Sequence, residues 1–236
     1  MILLVTIFWL TACNLRFKRQ PEATSPPAPE IATGAYSSKE AARETIELPA
    51  PHLKGELSLE EALARRRSVR EFTEEGLSLE EIGQLLWAAQ GITDPAGLRT
   101  APSAGALYPL ELYIATPQGM YHYEPGSHRL TLQAPGDSRP ALYAAAYRQE
   151  AILQAPAVIV IAGVYARTAQ KYGAERSPRY VHLEAGHAAQ NILLQAEVME
   201  LGAVPIGAFD DAGIRGVLGL GADQQPLYLI PVGHTK

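Results

Sequence analysis

The feature that most constrains the fold is an unbroken apolar run at residues 157–162, which reads Ala-Val-Ile-Val-Ile-Ala. A strand with one face in water alternates apolar and polar side chains, and this run does not alternate. Its β-branched residues favour an extended chain. The run therefore predicts a strand that is buried on both faces.

Helices and strands are mixed along the chain without strict βαβ alternation, so the sequence predicts an α+β fold. Ser58 and Ser78 each begin a capping box, with a glutamate three residues later. The predicted helices are residues 58–66, 78–91, 138–152 and 181–201, the last of them ended by Gly202. The predicted strands are residues 111–116, 120–123, 129–132, 157–162, 203–209 and 227–232, of which the second and third form a hairpin.

The N-terminus carries an apolar run at residues 2–12 that ends at Cys13, the single cysteine of the chain. The run is too short to span a bilayer but has the length of a signal-peptide core. The residues that end in Cys13 resemble a bacterial lipobox, which predicts a signal peptide at 1–13 and a membrane-anchored lipoprotein of the bacterial cell envelope. No Lys or Arg precedes the run and three basic residues follow it, which opposes export. The alternative is a buried strand with an incidental cysteine, and a cytoplasmic protein.

Composition sets the limits of the folded part. Residues 20–51 hold six of the 18 prolines, so residues 14–51 are predicted to be a disordered tether and residues 52–236 the folded domain. The net charge of −5 argues against a general nucleic-acid binder. A single cysteine excludes an intrachain disulfide.

A dense group of arginines at residues 65–70 could bind an anion. Arg66, Arg67 and Arg70 follow a predicted helix, and the alternation of an extended chain would place Ser68 and Arg70 on one side. The planar guanidinium suits a phosphate because it can donate two hydrogen bonds to the phosphate oxygens. Taken alone, the segment is more typical of a solvated basic helix end.

Two further segments are rich in small residues, which let the backbone approach a flat ligand closely. Residues 102–109 read Pro-Ser-Ala-Gly-Ala-Leu-Tyr-Pro, and residues 205–209 read Pro-Ile-Gly-Ala-Phe. The backbone N–H groups of the second segment could face a ring. Taken alone, the first segment is typical of a surface turn and the second of a strand that ends in a glycine turn.

The three segments and their surroundings resemble the nitroreductase family of FMN enzymes, specifically its SagB-type dehydrogenase branch, over roughly residues 57–233. The resemblance implies a nitroreductase-like fold, with a central, mainly antiparallel sheet flanked by helices, and a homodimer with flavin between the subunits. It implies contacts to the FMN phosphate and ribityl chain from Arg66, Arg67, Ser68 and Arg70. It implies contacts to the flavin ring and its surroundings from Ser103, Ala104, Gly105, Pro205, Ile206, Gly207 and Ala208. Gly207 stands where the classical nitroreductases have a glutamate, which is typical of the SagB-type branch.

Lys171 and Tyr172 match a Lys-Tyr pair that assists proton removal in the thiazoline and oxazoline dehydrogenases of that branch. Residues 179–187 also resemble the branch closely. A lysine can serve as a base because burial lowers its pKa. Taken alone, residues 171–172 are typical of an exposed loop.

Other cofactor sites are not expected. No G-x-G-x-x-G follows a predicted strand, so NAD(P)H would visit as a substrate. Glu184-x-x-His187 occurs once, whereas a carboxylate-bridged metal pair needs two copies. We therefore expect no metal site.

The combined expectation is an FMN-dependent oxidoreductase that transfers hydride between its flavin and a small-molecule or peptide-azoline substrate. A small-molecule electron donor or acceptor would be its partner. The alternatives are an NAD(P)H-dependent reductase of quinones or nitroaromatics, and a lipid-anchored module that binds flavin without turnover.

Overall fold

Seven strands form one sheet in residues 44–236, the part of the chain that the computed structural model describes. The strands are β1 (Thr45–Glu47), β2 (Leu110–Ala115), β3 (Gly119–Glu124), β4 (Arg129–Pro135), β5 (Ala157–Val164), β6 (Leu201–Ala203) and β7 (Gln224–His234). Their order across the sheet is β1-β4-β3-β2-β5-β7-β6, and every neighbouring pair is antiparallel. The predicted α+β class and antiparallel sheet are confirmed.

The apolar run at residues 157–162 forms most of β5, in the interior of this sheet. β5 pairs with β2 on one side and β7 on the other, and all eight of its residues are buried. Ile159 and Ile161 pack in a core on one face, whereas Val158 and Val160 pack in a second core on the opposite face. Every position is apolar because neither face meets water.

Helices cover both faces of the sheet. They are α1 (Leu59–Arg65), α2 (Leu79–Gln90), α3 (Arg139–Ala145), α4 (Ala151–Gln154), α5 (Tyr165–Tyr172), α6 (Ser177–Val198) and α7 (Asp211–Leu218). Leu85 of α2 and Ile192 of α6 pack in the core that contains Ile159. Leu142 of α3 and Ile214 of α7 pack in the opposite core.

Both predicted capping boxes are present. Ser58 Oγ accepts a hydrogen bond from the Glu61 N–H at 3.2 Å, and the Glu61 carboxylate accepts one from the Ser58 N–H at 3.0 Å. Ser78 and Glu81 repeat the pattern at 3.2 and 2.7 Å. The two serines therefore fix where α1 and α2 begin, as the sequence predicted.

Two predicted helices have the wrong limits, and non-glycine residues in left-handed backbone conformations account for the break in the first and the turn after the second. The helix predicted at 138–152 is divided into α3 and α4, since Tyr147 and Arg148 have φ angles of 53° and 58°. α6 begins four residues before the predicted start at Val181 and ends at Val198. Glu200, with a φ of 59°, then turns the chain directly into β6, so Gly202 lies in a strand and does not end the helix.

The strand predicted at residues 203–209 is also wrong in most of its length. β6 ends at Ala203, and Ile206 forms only an isolated bridge with Leu229 of β7. Beyond Ala203 the chain keeps hydrogen bonds to β7 as far as Ile206, and Ile206 and Phe209 pack in the core shared with α7.

The folded domain begins earlier than predicted. The predicted tether runs to residue 51, yet β1 pairs with β4 and Leu48 is buried. The predicted signal peptide at 1–13, the lipidation of Cys13 and the tether up to residue 43 lie outside the described residues and stay predictions. Within residues 44–236, no helix combines the length and apolar character needed to cross a membrane.

Gly163 allows α6 to lie close against β5. A Cβ at this position would be 2.6 Å from Val181 Cγ1 and 3.0 Å from Leu227 Cδ1. Val181 is fully buried on α6, so it has no free space into which it could move.

We expect Gly163→Ala to lower the free energy of unfolding by about 1–3 kcal/mol, the usual cost of overpacking a core. Gly216→Ala is the matched control, because Gly216 is exposed in α7 and a Cβ there would contact nothing. The control should be more stable than the parent by about 0.5–1 kcal/mol, since alanine favours the helix. Urea unfolding measures both variants, and equal stabilities would contradict the close approach.

Candidate functional site

The arginine segment (residues 66–70) contains one arginine that closes a helix and two that remain available. The Arg67 guanidinium donates hydrogen bonds to the carbonyl oxygens of Ala64 at 3.0 Å and Arg66 at 2.8 Å, at the end of α1. The side chains of Arg66 and Arg70 have no hydrogen bond or ion pair with any other residue of the described chain. The helix-end interpretation therefore applies to Arg67, and Arg66 and Arg70 can meet an anion.

The arginine segment is held against the end of β6. The Val69 N–H donates to the Ala203 carbonyl oxygen at 3.0 Å, and Ser68 bridges Ala203 in parallel register. Val69 packs beside Phe72, whereas Ser68 and Arg70 are exposed. Both the Ser68 hydroxyl and the Arg70 guanidinium are therefore accessible, and their placement on one side of the chain stays a prediction.

The Pro205 segment (residues 205–208) begins two residues after Ala203 and offers free backbone donors. Ile206 is buried, and it exchanges two hydrogen bonds with Leu229 at 2.8 and 3.0 Å. Gly207 and Ala208 are exposed, and their N–H groups have no acceptor within residues 44–236. A Cβ on Gly207 would meet nothing, so the edge of a flat ligand has room there.

The Ser103 loop (residues 103–108) is a tight turn with left-handed residues. Gly105 has a φ of 66°, and the non-glycine residues Ala106 and Tyr108 have φ angles of 53° and 45°. Ser103 Oγ accepts a hydrogen bond from the Tyr108 N–H at 2.9 Å, which closes the turn. Such strained backbone persists only where its surroundings hold it, and it is common at ligand sites.

The structure brings Lys171 and Tyr172 against this loop. Both residues lie in the last turn of α5, so the loop conformation suggested by residues 171–172 alone is wrong. A Cβ on Gly105 would be 3.0 Å from Lys171 Nζ and 3.1 Å from the Tyr172 hydroxyl oxygen. Lys171 is exposed in the single chain. Gly105 therefore lies directly against both side chains, and its φ of 66° is one that residues with a side chain rarely adopt.

Arg167 ties α5 to the Ser103 loop. Its guanidinium donates to the Tyr108 carbonyl oxygen at 3.1 Å and also to the carboxylate of Glu111 in β2. His122 Nε2 lies 2.7 Å from a Glu111 carboxylate oxygen. Burial raises the pKa of Glu111, but the hydrogen bond of His122 and the charge of Arg167 outweigh it and hold that pKa below its ordinary value.

A buried acid, Glu184 of α6, lies beneath the same loop. Its side chain is buried, and burial raises its pKa from 4.5 to about 7, against the opposing effects of the Ser103 hydroxyl, the Arg99 charge and the Gln90 amide. Glu184 Oε1, Gln90 Nε2 and Arg99 Nε are buried without a hydrogen-bond partner in the described part of the chain. The Arg99 guanidinium also lies over the Tyr108 ring, 4.5 Å from its centre.

Sequence reasoning missed the residues around the loop. It considered Glu184 only as half of a metal motif and did not consider Arg99, Glu111 or Arg167. One signal was available, because Glu184 lies beside Val181 and Ala185 on the apolar side of a predicted helix. A charged residue on a buried helix face is rare unless it has a partner or a function.

The strand register separates the Ser103 loop from the arginine segment. Ala203 and Ala157 of β5 pair with the same residue of β7, so they lie at one height in the sheet. The Ser103 loop leads into Leu110, which pairs with Gly163 at the other end of β5. These two heights are roughly 20 Å apart along the strands. The loop also contacts α6, while Ile206 packs on the opposite face of the sheet. Within one chain, the arginine segment lies beside the Pro205 segment, and the Ser103 loop lies beside Lys171 and Tyr172. The two groups are far from each other.

The comparisons with known proteins agree on one family. The chain matches the model of the Nitroreductase family over residues 63–234. A Methanocaldococcus jannaschii protein, provisionally named a nitroreductase, is 42% identical over 197 residues, which cover 81% of this chain and 98% of that protein.

Solved structures show the same fold. A Ralstonia eutropha protein, provisionally described as a nitroreductase, has a TM-score of 0.75 and 29% identity, covering 83% of this chain and 91% of that chain. The NADPH:FMN oxidoreductase of Vibrio harveyi has a TM-score of 0.58 and 24% identity, covering 75% of this chain and 69% of that chain.

We expect the buried Glu184 to make the fold less stable as pH rises. Because its pKa is raised from 4.5 to about 7 by folding, its contribution is complete below pH 4.5 and is lost as pH rises through 7. Relative to Glu184→Gln, the parent should lose up to about 3 kcal/mol of unfolding free energy between pH 5 and 8. Thermal or urea unfolding across this range measures the difference. Parallel stability curves for parent and variant would contradict a raised pKa at Glu184.

Proposed function

Since the chain belongs to the nitroreductase family of oxidoreductases, we propose that it binds FMN between two copies of itself and exchanges hydride between the flavin and a small molecule. The observation that carries this proposal is the division of the candidate residues into two groups within one chain. Each group has unsatisfied or strained features that are typical of a ligand site. In a dimer, one copy would supply the first group of residues and its partner the second, so that both groups contact the same flavin.

The first group suits the FMN phosphate and one edge of the ring. Arg70 and Ser68 are both exposed, and Arg66 has no competing ion pair within the described residues. A phosphate monoester accepts charge-assisted hydrogen bonds from such groups. The Gly207 and Ala208 N–H groups are two neighbouring donors without acceptors, and such donors near N5 tune a flavin.

The second group suits the reacting face of the site. The Ser103 loop presents small residues, and Gly105 brings Lys171 Nζ and the Tyr172 hydroxyl to its surface. A lysine in this place can accept a proton from a substrate that gives its hydride to the flavin. The bound flavin would supply the hydride chemistry, and the protein would supply the base and the shape of the pocket.

Two features favour the SagB-type branch within the family. Lys171 and Tyr172 lie together at the Ser103 loop, where a Lys-Tyr pair would need to be. Gly207 leaves the ring edge without the glutamate of the classical nitroreductases. The proposed substrate class is therefore a small ring or peptide azoline that is oxidised by loss of a hydride and a proton.

The second candidate is a reductase of quinones or nitroaromatics that is driven by NAD(P)H. The specific observation in its favour is that Lys171 is exposed in the single chain, so no burial prepares it as a base there. The names of its relatives, including the NADPH:FMN oxidoreductase of Vibrio harveyi, also fit this chemistry.

The phosphate contact predicts a difference between FMN and riboflavin. Arg70→Ala should weaken FMN binding by about 1.5–3 kcal/mol, the scale of a charge-assisted hydrogen bond, and riboflavin binding much less. Arg67→Ala should change FMN affinity less and should mainly destabilise α1, because its guanidinium is engaged by the carbonyl oxygens at the end of that helix. Flavin fluorescence titrations of the full chain measure both affinities.

Arg65→Ala is the matched control for the phosphate contact. Arg65 belongs to the same basic run, but its guanidinium faces Glu61 at 3.5 Å. The control should change FMN affinity little. Failure of the parent chain to bind FMN would overturn the proposed function, and equal losses for FMN and riboflavin in Arg70→Ala would show that Arg70 only supports the fold.

The proposed base predicts a separate effect on chemistry. Lys171→Ala should slow substrate-driven flavin reduction by about 10²–10⁴-fold, the usual value of general-base assistance, while FMN affinity stays nearly unchanged. Tyr172→Phe should be milder because it removes only a hydroxyl. Gln170→Ala, an exposed neighbour on α5, is the control and should behave like the parent.

Anaerobic stopped-flow bleaching of the flavin with each candidate reductant makes the measurement. If Lys171→Ala is reduced as fast as the parent by every reductant, the base assignment is wrong. That result would favour the NAD(P)H-driven reductase, where the hydride comes from a nicotinamide and no base is needed.

A further inference from the structure

The buried polar cluster around Glu184 has no role in the proposed hydride chemistry. It joins α6, the end of α2 and the Ser103 loop, through Glu184, Gln90, Arg99 and Ser103. Three polar atoms in it, one each from Glu184, Gln90 and Arg99, are buried without a partner among residues 44–236. Buried polar atoms are normally satisfied, so a group of three at one place needs an explanation.

We propose that Glu184 is a proton-uptake residue coupled to the flavin: its carboxylate binds a proton from solvent when negative charge arrives beside the Ser103 loop. The inference rests on the proposed function, because that charge is the one a flavin gains on reduction. Glu184 would act through Ser103 and would not touch the reacting atoms.

The proposed proton path runs through Ser103, whose hydroxyl acts on the Glu184 carboxylate. Ser103 Oγ accepts the Tyr108 N–H at 2.9 Å and is only half-buried, and it interacts with the Glu184 side chain. A hydroxyl has two acceptor sites and one donor site. It can therefore accept hydrogen bonds from the Tyr108 N–H and from a neutral Glu184 while its own hydrogen points outward, or donate that hydrogen to an ionised Glu184 while it still accepts from Tyr108.

The surrounding charges make the protonation state of Glu184 sensitive to its neighbours. Arg99 acts on Glu184 directly, and Arg99 is itself influenced by Glu111, Tyr108 and Arg167. With Glu184 neutral, the two arginines and Glu111 leave one net positive charge beneath the loop. With Glu184 ionised, the cluster is neutral. Added negative charge nearby disfavours a second anion, so it favours the protonated acid.

The net charge of this cluster would also affect the reduction potential of the flavin. A positive charge near N1 or N5 stabilises a reduced, negatively charged flavin, and an ionised Glu184 would cancel it. Reduction would then proceed with two electrons from the donor, and Glu184 would take one proton from solvent in addition to any proton bound by the flavin. The raised pKa of about 7 places this exchange in a useful pH range.

The test is the midpoint potential of FMN bound to the full chain, measured against pH by photoreduction with a reference dye. Each additional proton taken up with two electrons steepens the curve by about 30 mV per tenfold change in proton activity. The parent should show this extra slope above pH 7, and Glu184→Gln, which cannot ionise, should not. Glu184→Asp keeps an ionisable carboxyl and should show the extra slope again. This variant tests the proposal even if Glu184→Gln folds poorly.

Glu197→Gln is the matched control, since Glu197 lies on α6 more than three turns from Glu184. It should keep the parent's curve. Parallel curves for the parent and Glu184→Gln with FMN bound would overturn the coupling and leave the proposed function standing. A chain that binds no FMN would overturn both, while the stability curves of the flavin-free protein would still show whether Glu184 titrates in the fold.

Discussion

The burial of β5 on both faces is the constraint on which the remaining structure depends. Because alternate residues such as Ile159 and Val160 enter two different cores, a helical layer must cover each face. The Ser103 loop and Lys171 lie with α6 on one side, and Ile206 lies with α7 on the other. The sheet that stabilises the chain thus also divides its candidate chemistry, which is why our proposal needs two copies.

The Ser103 loop illustrates how local strain is offset by its surroundings. Ala106 and Tyr108 occupy left-handed conformations that cost about 1–3 kcal/mol each. Three contacts oppose that cost: Ser103 closes the turn, Arg167 binds the Tyr108 carbonyl and Arg99 lies over the Tyr108 ring. The loop and α5 therefore behave as one unit, and the position of Lys171 depends on residues that were not recognised in the sequence.

The sequence predicted what local chemistry and periodicity determine. The capping serines and the doubly buried strand are properties of short segments, and the structure confirms them. It could not predict the turn at Glu200, because a left-handed glutamate is disfavoured locally and is held by the pairing of β6 with β7. Nor could it predict that Arg99 would meet Glu184, since that contact depends on how α6 packs against the loop.

The strand order determines which edge of the sheet an N-terminal fusion or a surface attachment would occupy. β1, where the described chain begins, and β6, beside the arginine segment, are the two outermost strands. Six inter-strand spacings separate them, or roughly 29 Å. A fusion partner, affinity tag or solid support joined directly to residue 44 would therefore enter at the edge remote from Arg70 and Gly207. Immobilisation through this end suits an electrode or biosensor, because it leaves the edge that carries the arginine segment facing solution.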